Sequence, residues 1–199
     1  VNTVIVLLLA AGAALAETSS QNWSGDYAPC NHHNDVLSRE HLDLGVRIST
    51  SNALLAREFE RAVDFWRGVL DLDWHEEDSL NCSIQLVDGA PELFRLTGGC
   101  ACISARSQIP DLPAFEGWIA FNPAAKLTAK EMFKVSVHEI GHLLGLPHNP
   151  SGSSVMFSFG LDGFGLLDAA DLDALASRHK LRPSILEKGS VKITPLTIP

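Results

Sequence analysis

A mixed α/β domain is what this sequence predicts, and three observations predict it. The chain has 199 residues, 46% of them hydrophobic and 20% charged, the size and composition of one domain with a substantial core. Residues 42–48 alternate apolar with other side chains, the period of a half-buried strand, and four further strand-like runs follow. Two long segments among these runs carry helical signals, one an apolar stripe near every 3.6 residues and the other a capped start with a glycine stop. Acidic residues outnumber basic ones 24 to 15, giving a formal charge of −9 with no dense basic run. That balance argues against nucleic acid as the main partner.

Residues 4–16 form an unbroken run of apolar residues and glycine ending Ala14-Leu15-Ala16. The run reads as a signal peptide over residues 1–16 with an Ala-x-Ala cleavage site, although the opening Val1-Asn2-Thr3 lacks the usual basic residues. It is shorter than the roughly 20 residues a membrane-spanning helix needs. A secreted, extracellular protein without a stable membrane span is therefore expected, with residues 17–41 as a polar segment. Export also predicts two disulfides from Cys30, Cys82, Cys100 and Cys102. A Cys100–Cys102 bond is strained at that spacing. Cys30 is expected to pair with one of those two and Cys82 with the other; the alternative is a free Cys30 thiol able to occupy a metal's open position.

The first strand is predicted over Leu42–Ile48. The helix after it carries Leu55, Phe59, Ala62, Val63, Trp66 and Val69 on one face, a core stripe, with Ser51 or Asn52 as its N-cap. Leu72–Glu76 and Cys82–Val87 are two more strands, separated by a charged turn. Cys100–Arg106 and Gly117–Asn122 follow, joined by a loop with Pro110 and Pro113. Thr128-Ala129-Lys130-Glu131 has the form of a capping box, so a helix should run from about Ala129 to Gly145, where glycine can turn left-handed and Pro147 prevents continuation. A last helix is predicted over Asp168–His179, with Leu172, Leu175 and Ala176 on one face. The tail, residues 181–199, shows no clear period and stays unassigned.

The chemistry lies in His138-Glu139-Ile140-Gly141-His142-Leu143-Leu144-Gly145-Leu146-Pro147-His148. Residues four apart on a helix share a face, so His138 and His142 can grip one ion at Zn–N distances of about 2.0–2.1 Å. A break at Gly145 lets the chain return and His148 supply a third imidazole. Three protein ligands leave a fourth position for water, the arrangement of a catalytic zinc. Glu139, beside that face, is placed to take the water's proton. The remaining histidines, His32, His33, His41, His75 and His179, lack ligand spacing and are assigned surface or satisfied-polar roles.

This eleven-residue pattern resembles the zinc motif of the metzincins, and Met156, eight residues on in Ser154-Val155-Met156, resembles their Met-turn. Within that group the chain is most similar to a small matrixin catalytic domain, of the matrix-metalloproteinase type, over residues 42–180. The resemblance implies a mixed twisted sheet packed on two long helices with a C-terminal helix. It also implies His138, His142 and His148 as ligands of one catalytic zinc, Glu139 as general base and Met156 beneath the site. By the same resemblance Cys100–Arg106 is the edge strand along which an extended protein or peptide substrate pairs, and the protein is a monomeric metalloendopeptidase. Calcium enters only through the resemblance, for no loop shows a recognisable ligand pattern. Three features depart from the family: Asn149 stands where matrixins usually have Ser, no proline follows Met156-Phe157-Ser158, and no His-rich loop precedes the edge strand for a second, structural zinc. Rival readings are a metzincin of another subfamily, a catalytically inactive secreted zinc-binding module, and a hydrolase acting on a non-protein amide. Retention of Glu139 counts against the second.

Overall fold

The computed structural model describes residues 41–76, 82–89, 99–105, 115–157 and 165–193. The signal peptide, the polar segment up to residue 40 with Cys30, His32 and His33, and the loop with Pro110 and Pro113 lie outside these residues.

Strand β1 (Leu42–Ser49) leads into helix α1 (Ala53–Val69), then β2 (Leu72–His75), β3 (Cys82–Asp88), β4 (Gly99–Ala105) and β5 (Phe115–Phe121). They form one five-stranded sheet in the order β2-β1-β3-β5-β4. Strands β2, β1, β3 and β5 run parallel, and β4 pairs antiparallel with β5 at the edge. Parallel neighbours cannot be joined by a tight turn, and α1 supplies the crossover from β1 to β2. Alternation along β1 turns Leu42, Leu44 and Val46 inward, in register with Cys82 and Ile84 of β3.

Helix α1 buries Leu55, Phe59, Ala62, Val63, Trp66 and Val69, the stripe expected from its spacing. Asn52, rather than Ser51, caps it: its side-chain oxygen accepts from the Leu54 and Leu55 amides at 3.1 Å each. Helix α2 (Ala129–Leu143) begins with the predicted capping box, the Glu131 carboxylate accepting from the Thr128 amide at 2.7 Å. It packs on α1, where the Trp66 indole N–H donates to the Val137 carbonyl at 3.2 Å and Phe65 meets Phe133 edge-to-face. Its other neighbours include β4, so the helix that carries the histidines lies beside the sheet's antiparallel edge.

The C-terminal part holds β6 (Leu166–Leu167), α3 (Ala169–Ala176), α4 (Pro183–Leu186) and β7 (Val191–Lys192). Helix α3 stops three residues short of the predicted His179, because the Arg178 and His179 amides both fold back onto the Leu175 carbonyl. Within the tail left unassigned, β7 pairs antiparallel with β6, Pro183 opens α4, and Ile185 and Ile193 are buried. A two-residue ladder and a single helical turn are too short to show a period in sequence.

The sheet register overturns the expected bond between Cys82 and either Cys100 or Cys102. Cys82 shares a row with Phe115 of β5 and Ala105 of β4, whereas Cys102 and Cys100 lie in the rows of Trp118 and Ala120, with β5 standing between the two cysteine-bearing strands. Two strand spacings of about 4.8 Å and a three-residue offset of about 3.3 Å each separate the Cα atoms of Cys82 and Cys102 by about 14 Å. A disulfide tolerates about 7 Å. Cys82 sits instead in the core, fully buried.

Candidate metal centre

The last two turns of α2 bring His138, Glu139, Gly141 and His142 to the end of the helix, and the chain after it closes a site around them. Gly145 has φ +97°, the left-handed conformation that glycine adopts without a Cβ penalty. The Leu146 amide then donates to the Gly141 carbonyl at 2.9 Å and the Gly145 amide to the His142 carbonyl at 3.0 Å. These two bonds are the Schellman pattern. The turn reverses the chain within three residues and brings His148 back beside α2.

Each helical histidine is oriented by a backbone carbonyl. His138 Nδ1 donates to the Val155 oxygen at 2.6 Å, and His142 Nδ1 donates to the Leu146 oxygen at 2.8 Å. With Nδ1 carrying the proton, Nε2 of each ring presents a lone pair. Those Nε2 atoms lie 3.0 Å apart, and His142 Nε2 lies 3.2 Å from His148 Nε2. Between His138 and His142 neither atom can donate, so the approach is not a hydrogen bond. Three nitrogens tetrahedrally placed about 2.05 Å from one zinc would be about 3.3 Å apart, close to what is seen, so the donor set fits a zinc ion. Among the described residues this is the group of three or more His, Cys, Asp or Glu side chains gathered as ligands.

Electrostatics agree with that chemistry. Burial pulls His138 down to about 4 and His142 well below its ordinary value, which keeps both imidazoles neutral as a metal requires. Burial pushes the Glu139 carboxyl up to about 8. Its Oε2 atom is buried with no hydrogen-bond partner. A buried carboxyl without a donor is costly as an anion, so the site is incomplete until something protic or cationic faces it.

Met156 is fully buried beneath α2. A Cβ on Gly141 would come within 2.7 Å of the Met156 sulfur and 3.3 Å of Trp66 Cζ2, so glycine in the motif permits this approach. The Met156 carbonyl accepts from the Asn149 amide at 2.8 Å, and the Met156 amide donates to Ser154 Oγ at 2.9 Å. Ser154 Oγ in turn donates to Asp171 Oδ2 at 2.6 Å, while Asn149 Nδ2 donates to Asp171 Oδ1 at 2.9 Å and to Asp168 Oδ1 at 3.0 Å. Asp171, 3% exposed, thus ties the residue after the third histidine to the segment whose Val155 carbonyl holds the first. Burial pushes its carboxyl above the ordinary range, against the pull of the bonds from Ser154 and Asn149.

All five residues singled out from sequence, His138, Glu139, His142, His148 and Met156, are brought together. The edge strand is placed as expected, at Gly99–Ala105. Sequence reasoning did not find the supporting roles of Gly141, Ser154 and Asp171. Asp171 had a signal, since Asp168 and Asp171 are three apart at a helix start and form a reciprocal capping box. His41 is exposed and His75 half-buried, beside Asp71 and Asp43 respectively, in keeping with surface or satisfied-polar roles. His179 is buried, with one ring nitrogen bonded and the other without a partner.

Residues 44–173 match the family model for matrixin. No curated protein matches the chain.

Proposed function

Given that the chain belongs to the matrixin family of zinc metalloproteases, we propose that it is a zinc-dependent endopeptidase that hydrolyses peptide bonds with Glu139 as general base. The observation that carries this reading is the convergence of three imidazole Nε2 atoms beside a buried carboxyl whose Oε2 lacks a partner. His138, His142 and His148 are the residues that would hold the ion. Zinc bound by three protein ligands supplies Lewis-acid polarisation of a carbonyl and activation of water near neutral pH.

The chain's own residues do the rest. Glu139, shielded from bulk solvent, takes a proton from the attacking water and hands it to the departing amine nitrogen. No covalent intermediate is needed. Strand β4 offers the backbone of an antiparallel edge to which an extended peptide can add. Export belongs to the same proposal, supported by the apolar run over residues 4–16.

The test is metal analysis of the purified protein together with digestion of a diverse peptide library, with and without chelator. We expect one zinc per chain and chelator-sensitive cuts. Glu139→Ala should keep the zinc yet lose at least the ~10²–10⁴ in rate typical of a positioned general base. Near-normal cleavage by Glu139→Ala would show that the base is another group.

A further inference from the structure

We propose that His179 is a positioning residue for the metal centre, fixing the turn that delivers His148 through its bond to the Leu144 carbonyl. The proposal rests on the zinc reading above. The final carbonyls of a helix need donors from outside it. Leu146 and Gly145 supply two, to Gly141 and His142. Leu144, the C-cap residue, receives its donor from far along the chain: His179 Nε2 lies 2.7 Å from the Leu144 oxygen. The ring is 6% exposed and its Nδ1 has no hydrogen-bond partner. It is therefore the neutral Nε2–H tautomer with a single bond to make. An aliphatic side chain would fill the same space without an unsatisfied nitrogen, so what the imidazole adds is the reach of that one donor.

The neighbouring residue grips the same turn from another side. A Cβ on Gly145 would lie 3.0 Å from Arg178 Cδ and 3.1 Å from its Nη1, so the Arg178 side chain rests against the Cα of the left-handed residue. Two consecutive residues beyond α3 thus hold the turn at the Leu144 carbonyl and at Gly145. Without the His179 donor, the peptide joining those residues keeps the Gly145 amide bond to the His142 carbonyl but loses the hold on its own carbonyl, which can tilt toward water. That tilt is passed along Leu146 and Pro147 to His148, and through the Leu146 carbonyl to the ring of His142.

The experiment compares His179→Leu, His179→Gln and His179→Asn with the parent chain. The readouts are zinc affinity by chelator competition, the visible spectrum of the cobalt-substituted protein and the unfolding midpoint of the metal-free form. Gln places an amide N–H near the position of the imidazole Nε2, whereas Asn reaches only as far as Nδ1. Outer partners of metal sites typically contribute 10–100-fold to affinity. We expect His179→Leu to weaken zinc binding about ten-fold and alter the cobalt bands, with His179→Gln within about three-fold of the parent. Should the leucine variant fail to fold, weaker binding by His179→Asn than by His179→Gln carries the same conclusion. A lowered midpoint with unchanged zinc affinity and cobalt spectrum in all three would overturn the positioning role and leave the zinc reading intact. Failure of the parent to bind zinc would overturn both.

Discussion

Replacing Gly141 by alanine tests whether the close approach between α2 and Met156 shapes the metal centre. On an ordinary helix the change stabilises by about 1 kcal/mol, because alanine loses less backbone entropy. Here the new methyl would sit 2.7 Å from the Met156 sulfur, 3.3 Å from its Cε and 3.3 Å from Trp66 Cζ2. Comfortable separations are about 3.5–4.0 Å, so the thioether must retreat by about an ångström. Met156 and Trp66 are both fully buried, and Trp66 is further tied to the Val137 carbonyl. Overpacking of this kind costs about 1–3 kcal/mol, which equals or exceeds the propensity gain. The variant should therefore be no more stable than the parent and up to about 2 kcal/mol less stable by urea unfolding of the metal-free protein. Zinc affinity should fall as well, since Met156 is held through Ser154 and Asn149 to the segments carrying Val155 and His148. In a Met156→Ala background the same substitution should regain its stabilising sign, a coupling of at least about 1 kcal/mol in the double-mutant cycle. A Gly141→Ala variant that is more stable than the parent and binds zinc equally well would refute the argument.

Asp171→Ala removes the acceptor for Ser154, Asn149 and the Asp168 amide. At about 1–3 kcal/mol for each buried donor left unpaired, a loss of roughly 3 kcal/mol is expected; urea unfolding checks this, and a loss below about 1 kcal/mol would contradict the network. The pH dependence of the metal-free protein has a worked sign. His138, pulled down to about 4, and His142 and His179, also lowered by burial, stay neutral in the fold below the ordinary imidazole value near 6.5, so unfolding takes up protons there and stability falls with pH. Glu139, pushed up to about 8, acts the other way between that value and its ordinary 4.5. Asp171, raised above its ordinary 3.8, adds to the Glu139 effect, but the three imidazoles outnumber the two carboxyls, so stability should peak near pH 6.5 and fall toward pH 4.5. Equilibrium unfolding across that range would refute the assignment if stability were flat or rose on acidification.

The parts of this fold that were legible in sequence are those whose information is local. The capping box at Thr128, the stripe on α1 and the spacing of His138 and His142 are each set by residues within a turn or two of one another. Strand β1 was equally plain because one of its faces is wet. What sequence could not supply depends on register and long-range closure. The expected bond from Cys82 to Cys100 or Cys102 failed because distance across a sheet is set by strand order, and β5 stands between β3 and β4. His179 was passed over because its acceptor, the Leu144 carbonyl, is a backbone atom that no side-chain pattern announces. Strand β7 escaped notice because its pairing with β6 rests on two residues a side.

Asn149, which departs from the serine usual in the resembling family, is better understood from its bonding than from its rarity. Its amide nitrogen uses both hydrogens, one on Asp168 and one on Asp171, while its side-chain oxygen accepts from the Ser151 amide at 2.9 Å. A serine hydroxyl has one hydrogen and could serve only one of those carboxylates. With both acidic residues in the capping box of α3, a two-hydrogen donor lets the residue after His148 dock the start of that helix while Ser154 docks from the Met156 side. The result is a closed circuit. His138 hangs on Val155, Val155 follows Ser154, Ser154 and Asn149 meet on Asp171, and Asn149 follows His148. The separation of the first and third histidines is thus tied to contacts among Ser154, Asn149 and Asp171, none of which is a candidate metal ligand.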